Sequence, residues 1–170
     1  MLGIGQAAFA QEYEFEYLRP IGDPASFGSR PRKLTDSGHI LFGDGQIIKA
    51  DGTTINVGID NISSDVVSMN DSLEVVGHYA IGGGLGFLNN YGVRRWTPQL
   101  GWQIVLPARD GTVWSLVNGI NDDGTILAFR QDEWIANSGA HQVIAPNGAV
   151  TNLAGGGPPS LYRGMDTLND

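Results

Sequence analysis

Residues 142–157 read QVIAPNGAVTNLAGGG, two short strands about an Asn147-Gly148 turn followed by a glycine run. Glutamine, two β-branched residues and then an Asx-Gly pair is a hairpin pattern. The branched residues suit a pleated, half-buried surface, and the glycine supplies positive φ. The same order stands twice upstream: Gln46-Ile47-Ile48 precedes Asp51-Gly52, and Gln103-Ile104-Val105 precedes Asp110-Gly111. Asx-Gly pairs favour a type I′ turn, with positive φ at both central residues. Three hairpins of one kind are therefore expected.

A second element recurs at longer range. Leu34-Thr35-Asp36-Ser37-Gly38, Met69-Asn70-Asp71-Ser72 and Ile120-Asn121-Asp122-Asp123-Gly124 each place an apolar residue before a Thr/Asn-Asp pair, and Leu168-Asn169-Asp170 does so again. An Asx side chain bonds its own backbone and so sets a turn. A short apolar stretch follows each of the first three: HILFG, EVVGH and TILAF. The aspartates Asp36, Asp71, Asp122 and Asp170 are 35, 51 and 48 residues apart. The middle unit carries additional sequence, LGFLNNYGVRRWTPQLGW (85–102), read as an extra hairpin. The stretches EYLRPIGDPASFGSRPRKLTD and TNLAGGGPPSLYRGMDTLND share one order of leucine, glycine turn, proline, serine, aromatic, arginine and turn module.

Four-stranded units of roughly 40–50 residues match the blades of a β-propeller. The expected fold is all-β: a propeller-like repeat of about three to three and a half four-stranded blades, with a β-sandwich as the alternative. In the last unit, strands are expected at 125–129, 140–146, 149–153 and near 163–168. Glycine supplies 25 of 170 residues, about twice its usual share, as many tight turns require. No stretch has the apolar spacing of an amphipathic helix.

The net charge of −8 argues against a general nucleic-acid binder, which needs a basic surface. Arg30-Pro31-Arg32-Lys33 is the one basic run and reads as a solvated loop. Without cysteine there are no disulfides and no thiolate chemistry. No run approaches the ~18 apolar residues of a membrane span. Ala8-Phe9-Ala10 is a signal-peptidase pattern that would leave Gln11 first. Residues 1–10 are therefore expected to be a signal-peptide remnant, and 11–170 one β-repeat domain. That domain is either a fragment of a longer propeller or one completed by other copies.

Ile120-Asn121-Asp122-Asp123-Gly124, His141-Gln142-Val143 and Val150-Thr151-Asn152-Leu153 stand in an order that resembles the HAF-repeat family of extracellular bacterial propeller-like proteins. Asn70-Asp71 with Val75-Val76-Gly77 is similar to the family's I-N-D-x-G-x-V-V-G segment, and YEFEYLRPIG (13–22) to a strand on which mature members begin. The family's H-A-F strand reads His-Gln-Val here, and the other units lack the histidine. The resemblance implies secretion and a repeat fold, and no defined activity.

Chemistry is sparse. There is no G-x-S-x-G elbow, and His39, His78 and His141 have no metal-ligand spacing. His141 reads as a strand residue of the repeat. IGGGLG (81–86) lacks the strand–turn–helix setting of a phosphate loop. Asp122 and Asp123 are the least unsuitable metal candidates, although no calcium loop continues from them. Among the tryptophans Trp96, Trp102, Trp114 and Trp134, Trp96 and Trp102 crowd the inserted segment with Tyr91; these three are the candidate ligand-binding residues, for a sugar or a protein. Filling the space between sheets is their plainer role. No catalytic residue and no cofactor is expected. The reading is a secreted, non-enzymatic repeat module for binding or surface structure. Its expected partner is itself, through open blade edges, or a surface glycan or protein. The alternative is a secreted carbohydrate-active enzyme or carbohydrate-binding propeller, with Asp60, Asp65, Asp132 and Glu133 as candidate acids.

Overall fold

A computed structural model describes residues 30–58, 65–81, 90–108, 114–131 and 139–153. Twelve strands form three antiparallel four-stranded meanders, and no helix occurs among the described residues. The first sheet holds β1 (Pro31–Leu34), β2 (Ile40–Phe42), β3 (Gln46–Ile48) and β4 (Thr54–Asn56). The second holds β5 (Asp65–Met69), β6 (Val75–Ile81), β7 (Asn90–Thr97) and β8 (Gly101–Leu106). The third holds β9 (Trp114–Ile120), β10 (Ile126–Gln131), β11 (Gly139–Ile144) and β12 (Val150–Asn152). Strands pair in chain order within each sheet, and each sheet is open. The all-β expectation therefore holds.

The turn module joins the first two strands of every sheet. Each unit thus begins one strand earlier than expected, with the strand that precedes the module. The expected strands at 125–129, 140–146 and 149–153 correspond to β10, β11 and β12; the one near 163–168 lies outside the described residues. One local geometry serves all three modules. The first residue's N–H bonds the fifth residue's carbonyl, and the fourth residue's N–H bonds the first residue's carbonyl. The pairs are Thr35/His39 with Gly38, Asn70/Glu74 with Leu73, and Asn121/Thr125 with Gly124. The fourth residue has positive φ: Gly38 at 82°, Leu73 at 63° and Gly124 at 83°. This is a three-residue loop, a type I turn followed by one left-handed residue.

The β3–β4 and β11–β12 Asx-Gly hairpins use the same loop, which corrects the type I′ expectation there; Asp110-Gly111 lies outside the described residues. In β3–β4 and β11–β12 only Gly52 and Gly148 have positive φ; Asp51 and Asn147 do not. Asp51 and Asn147 instead accept the N–H two residues on, at 2.9 and 3.0 Å. A second correction concerns Gln103-Ile104-Val105. It lies in β8, the fourth strand, whereas its counterparts lie in β3 and β11, the third strands. The described part of the inserted segment is β7 and the start of β8, so the second sheet gains length and no extra hairpin. Its β7–β8 turn, Pro98-Gln99-Leu100, closes through the Thr97 hydroxyl, which accepts the Leu100 N–H, and through Gly101 at φ 67°.

A bulge falls in the first strand of every sheet, at Arg32, Val67 and Asn118. Each stands three residues before its turn module. A bulge bends the strand and strengthens its twist. The first strands of the second and third sheets, with the start of the strand that follows each, pack onto the sheet before. Val66, Met69 and Val75 meet Leu41, Ile47 and Val57 of the first sheet in one core. Val117, Ile120, Ile126, Ala128 and Ile144 meet Val76, Val93 and Leu106 of the second in another. Leu41, Ile47, Val66, Met69, Val75, Val76 and Val93 have no exposed surface.

Candidate functional site

The three turn modules converge at one end of the molecule. Lys33, Thr35, Asp36, Met69, Asn70, Asp71, Ile120 and Asp122 line a cleft of about 10 Å³, room for about one water. Its floor is Asn70, 2% exposed. The Asn70 carboxamide oxygen accepts the Glu74 N–H at 2.9 Å, closing its own turn. Its Nδ2 donates to Glu74 Oε2 at 2.8 Å and to the Asn121 carbonyl of the third sheet at 3.0 Å. Glu74 also pairs with Arg95 on β7. The amide's oxygen and both its hydrogens are thereby used.

The module aspartates stitch successive sheets. Asp71 Oδ1 accepts the Ser37 N–H at 2.9 Å, and Asp122 Oδ1 accepts the Asp71 N–H at 2.8 Å. Bonding from Ser37 and Thr35 holds the Asp71 carboxyl below the usual carboxylate range. Asp123 is lowered by the Thr125 hydroxyl and N–H, and the N–H bond is 2.8 Å long. The two metal candidates therefore hold backbone: Asp122 holds a seam and Asp123 a turn. Among the described residues no group of His, Asp and Glu is arranged to hold a metal ion.

The aromatic candidates are divided between two faces. Trp96 and Trp102 are paired across β7 and β8 and pack, half-buried, against the core shared with the first sheet. Trp102 Nε1 donates to the carbonyls of Val57 and Gly58 at 2.8 and 2.9 Å. The Arg94 guanidinium stacks over the Trp102 ring at 3.9 Å. Tyr91 stands on the opposite face, its ring edge-on to His78. Trp114 opens β9, and Trp134 lies outside the described residues.

His78 is a seam residue that sequence reasoning did not single out. Its Nε2 accepts the Val117 N–H of the third sheet at 2.8 Å. Burial lowers its pKa, and the facing Asp65 carboxylate partly offsets this. Asp65 is itself 3.3 Å from Arg32 of the first sheet. The signal was faint in sequence: a histidine in an apolar strand carries no spacing. His39 Nδ1 accepts the Ala50 N–H at 3.0 Å, tying the β1–β2 turn to the β3–β4 turn. His141 is buried on β11 beside Phe129. Of the candidate acids, Asp65 is the ion-pair partner just described; Asp60, Asp132 and Glu133 lie outside the described residues, as does most of IGGGLG.

No family model, curated protein or solved structure matches the chain. The chemistry of the site must be read from its own geometry. Its polar groups point at backbone of the same chain, and the cleft they surround is too small for an organic ligand.

Proposed function

We propose that the chain is a non-enzymatic repeat scaffold, with its sheets arranged as successive propeller-like blades. Its role is binding or extracellular structure outside a bacterial cell. One observation carries the reading: the side chains that could have formed a site instead hold one sheet to the next. Asn70, Asp71, Asp122, His78 and Trp102 each bond backbone across a seam. Packing of β5 and β9 on the preceding sheets supports the blade-like order. The HAF-repeat resemblance, carried by the β9–β10 turn, β11 and β12, supports export. Trp96 and Trp102 serve here as filling between sheets.

The test has two readouts. Incubation with a panel of polysaccharides should release no new reducing ends. Expressed from its native gene in a bacterial host, the protein should be recovered outside the cytoplasm with Gln11 as its first residue. Hydrolysis that disappears in Asp132→Asn or Glu133→Gln would overturn the reading in favour of a glycosidase.

A further inference from the structure

We propose that the outer face of the first sheet docks on the outer face of the third sheet of a second copy, making a seam of the kind the chain already uses twice. The inference rests on the scaffold reading above and names its partner.

Each internal seam has a docking side and a receiving side. The docking side is the first strand, with an apolar residue just before the turn module, and the first residue of the second strand opposite it. Met69 and Val75 do this for the second sheet, Ile120 and Ile126 for the third. All four are 5% exposed or less. In the first sheet the same positions are Leu34 and Ile40, also paired. Leu34 is 65% exposed, and Ile40 and its neighbour Ile48 are only half-buried. No described sheet covers them.

The receiving side is equally repetitive. Leu41, Ile47 and Val57 receive the second sheet. By register their counterparts on the third sheet are Leu127, Val143 and Leu153. Leu127 is 7% exposed and so buried as Leu41 is, but Val143 is half-buried where Ile47 is fully buried, and Leu153 is 40% exposed where Val57 is 4%. The first sheet therefore has an apolar docking side without a receiver, and the third a receiving side less covered than its two equivalents.

One polar position matches as well. Asp36 stands where Asp71 and Asp122 each reach back to a turn N–H. The chain's basic run, Arg30 to Lys33, would meet a second copy whose net charge is −8, at the end carrying Asp122 and Asp123. Docking and receiving sides lie on different parts of the molecule, so the contact is head-to-tail and yields rings or filaments.

The test is light scattering on the full chain with two variants. Leu34→Glu spoils the docking side and Leu153→Glu the receiving side. Both residues are exposed, and circular dichroism with a thermal melt checks that each variant folds. The wild type should show mass rising with concentration, and each variant should associate at least about tenfold more weakly. Mixed one to one, the variants retain one intact seam per pair and should form particles of two chains. High salt should weaken the wild-type assembly. A wild type that stays monomeric, or variants that assemble normally, would overturn the proposal. A monomer without hydrolytic activity would leave the scaffold reading intact.

Discussion

Asn70 shows what the turn modules require of one side chain. A short carboxamide must accept the Glu74 N–H and donate to both Glu74 and the Asn121 carbonyl. Asn70→Asp keeps the shape and the acceptor but turns two donations into oxygen–oxygen contacts in a buried place. Guanidinium denaturation should show a loss of at least about 2 kcal/mol, since unmet buried partners cost about 1–3 kcal/mol each. His78 makes the neighbouring seam sensitive to pH. Burial holds its folded pKa below the ordinary histidine value of 6.5, so in that range the unfolded chain binds more protons. Stability is therefore full above 6.5 and is lost as pH falls from there toward the folded value. Melting temperature should drop over that window, and His78→Gln, which keeps an acceptor without a titrating ring, should flatten the drop. Asp71 and Asp123, lowered from 3.8, act in the same sense only in more acid solution.

At the scale of strands and turns, one loop serves the three modules and the β3–β4 and β11–β12 hairpins, and its fourth residue sits in the left-handed region. Gly52 has open space around the position a Cβ would take, so Gly52→Ala tests backbone strain alone. It should cost about 1–2 kcal/mol. A Cβ on Gly124 would also lie 3.0 Å from Arg95 Nη2 and 3.2 Å from Glu74 Oε2, within the half-buried ion pair. Gly124→Ala should therefore cost more than Gly52→Ala in the same chemical denaturation. Equal losses would show that the ion pair yields freely. These turns were also where the sequence was most legible, because Asx and glycine act locally. The three modules and the β3–β4 and β11–β12 hairpins were all readable. The type I′ assignment failed because Asx-Gly suits both two- and three-residue loops, and only strand register separates them. Gln103-Ile104-Val105 misled because the true β7–β8 turn closes through Thr97 and Gly101, with no Asx-Gly pair to announce it.

For the whole molecule, the organising contact is a first strand laid on the preceding sheet. That contact was not legible. PRKL, DVVSM and WSLVNGI share no motif, because neighbours of the preceding sheet select them. Only a bulge three residues before each module gives them a common shape. The candidate site was equally hidden: Trp96 and Trp102 were visible as a cluster, but their role as seam filling depends on Val57, about 45 residues upstream in sequence. The consequence is a molecule whose polar residues are spent on continuity between sheets, which is the physical basis for reading it as scaffold.

Amide hydrogen exchange tests that continuity most directly. Ser37, exposed in a turn, donates its N–H to Asp71, and the Asp71 and Val117 amides cross the next seam to Asp122 and His78. Docked sheets should make the Ser37 and Asp71 amides exchange far more slowly than ordinary turn amides, at rates approaching those of core strands such as β6. Protection at Ser37 should fall selectively in Asp71→Ala. Exchange of the Ser37, Asp71 and Val117 amides at open-turn rates, beside protected strands, would mean that the three sheets fold without being joined.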